Sequence, residues 1–166
     1  MPKLALQIRA QLENVTELQP ASASDHMLMV RVKCTSCQEE HPKDVGIAPN
    51  EEAEVQKGRS TANLVMNCSL CKREMTAKFE EPTAKAPLWR PYSPSEGAVF
   101  STLCVVEARG LDFVGFIPVG TWKCKSTESD TVFDSVEFED GAWTDYDEKG
   151  GASVSIMELE SQWVRA

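Results

Sequence analysis

Two cysteine pairs constrain this chain more than anything else in it. Cys34-Thr35-Ser36-Cys37 and Cys68-Ser69-Leu70-Cys71 each hold their thiols two residues apart. That gap lets one tight turn present both sulfurs to a single ion. Zinc imposes no geometry of its own, so two such turns must supply its tetrahedron. The spacing therefore points to one zinc ion held by Cys34, Cys37, Cys68 and Cys71. Four thiolates around a divalent cation leave excess negative charge, and Lys33, Lys72 and Arg73 stand beside the cysteines to offset it. Backbone N–H groups of the two turns supply a further layer of donors to sulfur. A site closed by four protein ligands has no open position, which makes it structural and not catalytic. The competing reading is two unrelated buried or redox-active pairs, but two such pairs in one small intracellular chain read as metal first. The thirty residues between Cys37 and Cys68 exceed the roughly 15–20 of the commonest zinc ribbon, leaving room for a further β excursion.

The bulk of the chain narrows the classes. It has 166 residues, 42% hydrophobic and 26% charged, as expected of a soluble domain with one core. No apolar run approaches the roughly 18 residues that span a bilayer. Gln7 and Arg9 interrupt the only N-terminal stretch resembling a signal segment. The expected location is the cytosol, with the nucleus also open to it, and there six cysteines read as thiols and metal ligands before disulfides. Net charge is −9, from 26 acidic and 17 basic residues, a field that repels nucleic acid and anionic membranes alike.

Alternation dominates the chain. Leu4, Leu6, Ile8, Ala10 and Leu12 share one side of a half-buried strand, with Gln7, Arg9 and Gln11 on the other. Glu13-Asn14 is a turn, and Val15 and Leu18 lead on to Pro20. Leu28, Val30 and Val32 form a second strand that delivers Cys34 at its end. Val45 and Ile47 suggest a short strand, Glu51 to Gln56 a solvated loop, and Lys57-Gly58-Arg59-Ser60 a turn. Leu64 to Asn67 and Met75 to Phe79 flank the second cysteine pair. Pro82, Pro87, Pro91 and Pro94 preclude a regular element between Glu80 and Gly97, where Leu88, Trp89 and Tyr92 are expected to pack onto the body. Val99 to Ala108 is apolar on both faces, as in a central strand, and Leu111 to Val114 follows. Val132 to Phe138 is a further strand. Trp143 to Gly150 reads as an acidic, aromatic turn. A phase switch between Ile156 and Met157 in the closing strand suggests a bulge. No segment carries a helical stripe, so the fold class is all-β.

The halves echo one another. Ala10-Gln11-Leu12-Glu13-Asn14-Val15 runs to Leu18 and Pro20, and Ala108-Arg109-Gly110-Leu111-Asp112-Phe113-Val114 runs to Phe116 and Pro118, with Gly110 as an extra bulge residue. Lys57 to Ala62 and Lys149 to Ala152 each precede a strand. The inference is a pseudo-duplication within one compact domain: residues 1–85, which carry the cysteine pairs, a proline-rich linker 86–97, and residues 98–166. Chance similarity of β-hairpins is the alternative.

Other chemistry is sparse. Cys104 lies in an apolar strand and reads as a small core residue. Cys124 has lysines on both sides, which could lower its pKa, but an ordinary thiol fits as well. His26 and His41 are the only histidines, and His41, four residues past Cys37, is a spare candidate ligand. Asp145, Asp147 and Glu148 could bind a cation or a basic partner, although a solvated turn anchored by Trp143 and Tyr146 is favoured. No Ser/His/Asp pattern, phosphate loop or HExxH is present.

Taken together, Leu4-Ala5-Leu6-Gln7-Ile8, Leu12-Glu13-Asn14-Val15-Thr16, the two CxxC pairs, Lys57-Gly58-Arg59-Ser60, Arg109-Gly110-Leu111 and Trp143 to Lys149 resemble the eukaryotic CXXC-motif-containing zinc-binding protein family. The resemblance covers nearly the whole length. It implies an all-β fold of two similar β-sandwich or barrel-like halves, a zinc ion on the four knuckle cysteines, and no established catalysis. Three functions are then expected in order. The first is a non-enzymatic module that binds another protein, itself monomeric, through the Trp143–Lys149 or Lys57–Ser60 turn. The second is a zinc-stapled redox enzyme of the methionine-sulfoxide reductase B type, with Cys104 or Cys124 reactive. The third is a metal-handling protein whose zinc is cargo.

Overall fold

The computed structural model describes residues 2–56, 60–94 and 97–166. Lys57, Gly58 and Arg59, to which the sequence assigns a turn and a candidate binding surface, lie outside the described residues. No helix occurs among those described. The strands are β1 (Lys3–Glu13), β2 (Val15–Pro20), β3 (Leu28–Cys34), β4 (Val45–Ile47), β5 (Ala53–Glu54), β6 (Thr61–Ala62) and β7 (Leu64–Asn67). They continue with β8 (Glu74–Phe79), β9 (Ser101–Arg109), β10 (Leu111–Ile117), β11 (Trp122–Ser126), β12 (Val132–Val136), β13 (Trp143–Asp147) and β14 (Ala152–Arg165). A six-stranded sheet runs β13-β14-β1-β9-β8-β7, and two three-stranded sheets run β10-β3-β4 and β12-β11-β2, with β5-β6 as a separate hairpin.

Alternation explains the principal strands. In β3, Leu28, Val30, Val32 and Cys34 are buried while the residues between them are half-buried. In β1, Leu6 and Ile8 are essentially inaccessible, and each such side chain contributes about 1.5–3 kcal/mol of transfer free energy. β9 buries Leu103, Cys104, Val105 and Val106 consecutively, because it is covered on both faces at the middle of the large sheet.

The pairings repeat across the two halves. Exchanging β1 with β9, β2 with β10, β3 with β11, β4 with β12, β7 with β13 and β8 with β14 maps the β1-β9 ladder onto itself and each other ladder onto a second one, leaving only β5-β6 without a counterpart among the described residues. The halves are also interlocked. β3 of the first pairs with β10 of the second, and β11 pairs with β2. Neither half completes its sheets alone.

The turn after each long leading strand shows the same internal symmetry. Asn14 and Gly110 both adopt left-handed conformations, with φ of 59° and 78°. At Gly110 a Cβ would sit 2.9 Å from the Glu74 carbonyl oxygen, so glycine is required there. At the equivalent place Asn14, a residue that tolerates this conformation, donates from Nδ2 to the Ser153 carbonyl at 2.9 Å.

Several details differ from the sequence expectations. Val15–Pro20 is a full strand, Ala53–Glu54 is a short strand and not a loop, and Trp122–Ser126 is a strand that the hydrophobic pattern does not reveal. Trp143–Asp147 is a strand and not a turn, which shifts the turn to residues 148–151. The bulge in β14 falls later than Ile156–Met157: partners step from Glu160 to Met157 as β1 passes from Arg9 to Gln11, and Glu158 turns left-handed with φ of 53°. The proline-rich segment is pinned to the body. Leu18 and Tyr92 exchange backbone bonds of 2.8 Å, the Tyr92 hydroxyl donates to the Val99 carbonyl, and Trp89 Nε1 donates to the Ala23 carbonyl. Trp89 and Tyr92 are both buried.

Candidate metal centre

β3 ends at Cys34, and the chain turns back at once. The Cys34 N–H donates to the Glu39 carbonyl at 2.9 Å and the Gln38 N–H donates to the Cys34 carbonyl at 3.0 Å. β7 and β8 are joined by the second turn in the same way: the Cys68 N–H donates to the Arg73 carbonyl at 2.9 Å and the Lys72 N–H to the Cys68 carbonyl at 3.0 Å. Gln38 and Lys72 close the two turns with φ of 64° and 66°. A further bond, from the Thr35 N–H to the Gly110 carbonyl, ties the first turn to the β9–β10 corner.

The two turns face each other. Cys34 and Cys71 sulfurs are 3.7 Å apart, Cys37 and Cys68 sulfurs 3.5 Å apart, and all four lie within 4.8 Å of one another. A tetrahedral ion with Zn–S bonds of about 2.3 Å separates its sulfurs by about 3.8 Å. The donor set and its spacing therefore fit zinc. Cys34 and Cys68 are buried, whereas Cys71 reaches the surface.

Electrostatics within the cluster already favour thiolates at its inner positions. N–H groups of Cys71 and Leu70 point at the Cys68 sulfur and pull its pKa down to about 6. Cys37 and Ser36 N–H groups lower that of Cys34 in the same manner. At Cys37 the Glu39 N–H favours the thiolate, but burial and the neighbouring sulfurs outweigh it and push the value up to about 12. A divalent cation bound by Cys34, Cys37, Cys68 and Cys71 would offset this crowding of negative charge and favour the thiolate form of each. Of the cations expected to offset the charge, Lys72 folds back over its own turn to the Ser69 carbonyl at 2.8 Å.

The remaining predicted residues do not join the cluster. His41 is absent from the group of convergent donors, and its buried Nδ1 has no hydrogen-bond partner among the described residues. His26 is enclosed between Trp89 and Trp122, at ring-centroid distances of 5.6 and 5.1 Å, and burial lowers its pKa. Cys104 and Cys124 are both in the core. Burial raises the Cys104 thiol far above its ordinary range, and burial together with Asp145 pushes Cys124 up to about 12. The lysines beside Cys124 in sequence do not activate it, because alternation along β11 sends them to the opposite face.

Asp147 is the residue the sequence pattern misjudged. It belongs to no solvated turn: it is fully buried at the end of β13, while Tyr146 is 52% exposed. Its Oδ2 accepts from Ser126 Oγ at 2.5 Å and Ser129 Oγ at 2.7 Å, and its Oδ1 accepts from Thr131 Oγ1 and the Gly150 N–H, each at 3.1 Å. These donors, led by Ser126 and Ser129, hold its carboxyl far below the usual carboxylate range.

Comparison with known proteins agrees with the site. The family described as "CXXC motif containing zinc binding protein, eukaryotic" matches residues 5–164. Proteins named "CXXC motif containing zinc binding protein" from Mus musculus and Homo sapiens are 36% and 35% identical over 165 residues, covering 99% of each chain. A solved structure titled "Crystal Structure of C1orf123" superposes with a TM-score of 0.88 at 34% identity, covering 99% of both chains. With four cysteines converging at zinc-like separations and a match along nearly its whole length, the chain belongs to the eukaryotic CXXC motif containing zinc binding protein family.

Proposed function

We propose that Cys34, Cys37, Cys68 and Cys71 hold one zinc ion as a structural staple, and that the protein works by docking to another protein and not by catalysis. The observation that carries the staple is the closed cluster itself. It joins the end of β3 to the β7–β8 hairpin, two elements that lie in different sheets and share no ladder. Four protein sulfurs leave no position for substrate or water.

Support for docking comes from the surface around the staple. Leu70 sits between two of these cysteines and is 64% exposed. A zinc-fixed turn holds that apolar side chain rigidly outward, which lowers the entropy cost of recognition. The buried state of Cys104 and Cys124 disfavours the reductase reading, since neither thiol faces solvent. Metal handling keeps one specific point in its favour, the surface position of Cys71, from which an incoming thiol could begin exchange.

Metal analysis of the purified chain, followed by melting with and without chelator, tests the proposal. One zinc per chain whose removal abolishes the cooperative transition is the expected result. Ready exchange of the zinc with the fold intact would instead make it cargo.

A further inference from the structure

We infer that the second half retains the scaffold of a second four-ligand zinc site, in which the Asp147 carboxylate has taken the place of the ion. The inference builds on the assignment of the four cysteines as ligands. Its starting point is the internal exchange of strands. β3 corresponds to β11, so their last residues correspond, and the four-residue turn 69–72 between Cys68 and Arg73 corresponds to 148–151 between Asp147 and Ala152. Cys34 then falls on Ser126, Cys37 on Ser129, Cys68 on Asp147 and Cys71 on Gly150. The strand-end sequences agree: Lys33-Cys34-Thr35-Ser36-Cys37 stands against Lys125-Ser126-Thr127-Glu128-Ser129.

Hydrogen bonds agree at several corresponding positions, although Gln38, left-handed and donating to the Cys34 carbonyl, has no such counterpart at Asp130. Cys34 N–H to the Glu39 carbonyl is matched by Ser126 N–H to the Thr131 carbonyl, both 2.9 Å. Thr35 N–H to the Gly110 carbonyl is matched by Thr127 N–H to the Asn14 carbonyl. The left-handed residue closing the second turn is Lys72 in one half and Gly151 in the other, with φ of 66° and 64°. N–H groups that point at sulfur in the first half point at oxygen in the second. Ser36 N–H serves Cys34 and Glu39 N–H serves Cys37; Glu128 N–H serves Ser126 Oγ at 3.0 Å and Thr131 N–H serves Ser129 Oγ at 3.2 Å. Cys71 N–H serves Cys68, and Gly150 N–H serves Asp147. Chance resemblance of two hairpins does not reproduce donors to ligand atoms at each of these positions.

Gly150 supplies an independent geometric sign. A Cβ built there would lie 2.6 Å from Asp147 Oδ2 and 2.8 Å from Glu128 Cβ. The side-chain direction at this position therefore points into the cluster, as a fourth ligand would. It is glycine because the carboxylate already fills the space. With two hydroxyls on one oxygen, and a third hydroxyl and an N–H on the other, the carboxylate has its acceptor capacity met. It cross-links the same two turns without an ion, and the native second half takes up no zinc.

Restoring the ligands tests this. The variant S126C/S129C/D147C/G150C is loaded with zinc under reducing conditions and its metal-to-protein ratio measured beside wild type. Two ions per chain against one is the expected result. Cobalt(II) in place of zinc should show twice the thiolate-to-metal absorption per chain. A folded variant that still holds one ion overturns the inference while leaving the native staple intact; a wild type that holds none overturns the staple. Because Glu128 must shift to admit the sulfur introduced by G150C, a reverse transplant guards against simple misfolding. The variant C34S/C37S/E39T/C68D/C71G copies the oxygen clamp into the first half. It should bind no zinc and melt cooperatively, with a midpoint indifferent to chelator. Loss of its cooperative transition counts against the inference.

Discussion

The two ends of this molecule close the same pair of turns with opposite chemistry. At one end four sulfurs converge to within 4.8 Å; at the other a single buried carboxylate gathers three hydroxyls and an N–H. Much of the backbone scaffold is shared, including N–H groups that serve the central atoms. What such a scaffold requires is a concentrated negative centre for inward-pointing donors. Thiolates meet that need only with a cation to hold them together, whereas one carboxylate among hydroxyls meets it alone. The metal end is thereby exposed to chelation and oxidation, and the oxygen end to acid.

The strongest test of this contrast is to remove the metal. Binding of structural zinc contributes about 10–16 kcal/mol in isolated zinc-finger peptides, as much as the whole stability of a typical domain, about 5–15 kcal/mol. Because β3 pairs with β10 and β11 with β2, loss of one end is transmitted to the other. A chelator should therefore abolish the single cooperative transition seen by circular dichroism. A transition that splits in two, with one part unmoved, would show that the ends are independent.

Asp147→Ala should come next in size. It strips the acceptor from Ser126, Ser129, Thr131 and the Gly150 N–H at once, Ser126 being buried and the others half-buried. Unsatisfied buried donors are costly, and the melting midpoint should fall by about 10 °C. Zinc content should stay at that of wild type. If zinc is lost along with stability, the oxygen end is supporting the metal end and not merely mirroring it.

Acid gives a smaller and graded effect. The Asp147 carboxyl is held below its ordinary pKa in the folded chain, whereas in the unfolded chain it returns to about 3.9. The unfolded state thus takes up the proton first, and falling pH favours unfolding. The stabilisation is complete above the unfolded value and is lost as pH drops from there toward the folded one. Melting of wild type and Asp147→Asn across pH 3 to 7 isolates this contribution, since acid release of zinc is common to both. Their midpoints should differ by a constant amount above about pH 5, and the difference should begin to shrink only below about pH 4. A constant difference across the range would mean that the carboxylate charge is not what Asp147 supplies.

The metal end is legible in the sequence and the oxygen end is not, for physical reasons. Ligand spacing within a knuckle is a local property, so Cys34, Cys37, Cys68 and Cys71 announce themselves. Strands β1, β3 and β9 are equally plain, because their inward positions are apolar. β11 alternates just as regularly, with Trp122, Cys124 and Ser126 inward, but its last inward residue is a hydroxyl and gives no hydrophobic signal. β13 ends on Asp147, whose burial rests on partners 16 to 21 residues away in sequence. The sequence pattern sets Gly110 apart as an extra bulge residue, whereas the topology makes it the counterpart of Asn14, two different residue types meeting the same left-handed corner. Farther on, Lys149 to Ala152 invites alignment with Lys57 to Ala62, whereas the topology sets residues 147–152 against 68–73. The second copy has no cysteine at the corresponding positions, and so lacks the mark that would fix the alignment.

The finest comparison is between single ligands of the two clusters. Ser129 stands where Cys37 stands, and each is reached by the N–H two residues on. Cys37→Ala leaves three sulfurs on the ion and opens a coordination position, so zinc should become exchangeable and the centre cease to be closed. Ser129→Ala removes one of the two hydroxyls on Asp147 Oδ2 while Ser126 remains in place at 2.5 Å. A single hydrogen bond to a charged acceptor contributes about 1.5–3 kcal/mol, and the shortfall is shared with the remaining donors, so the midpoint should fall by only about 2–6 °C. Hydrogen bonds to a carboxylate are thus lost one at a time, while removal of one sulfur weakens the hold of the other three on a shared ion. If Ser129→Ala instead matched Asp147→Ala in its cost, the oxygen cluster would share the cooperativity of the metal site, and the distinction between the two ends would reduce to the identity of the atoms.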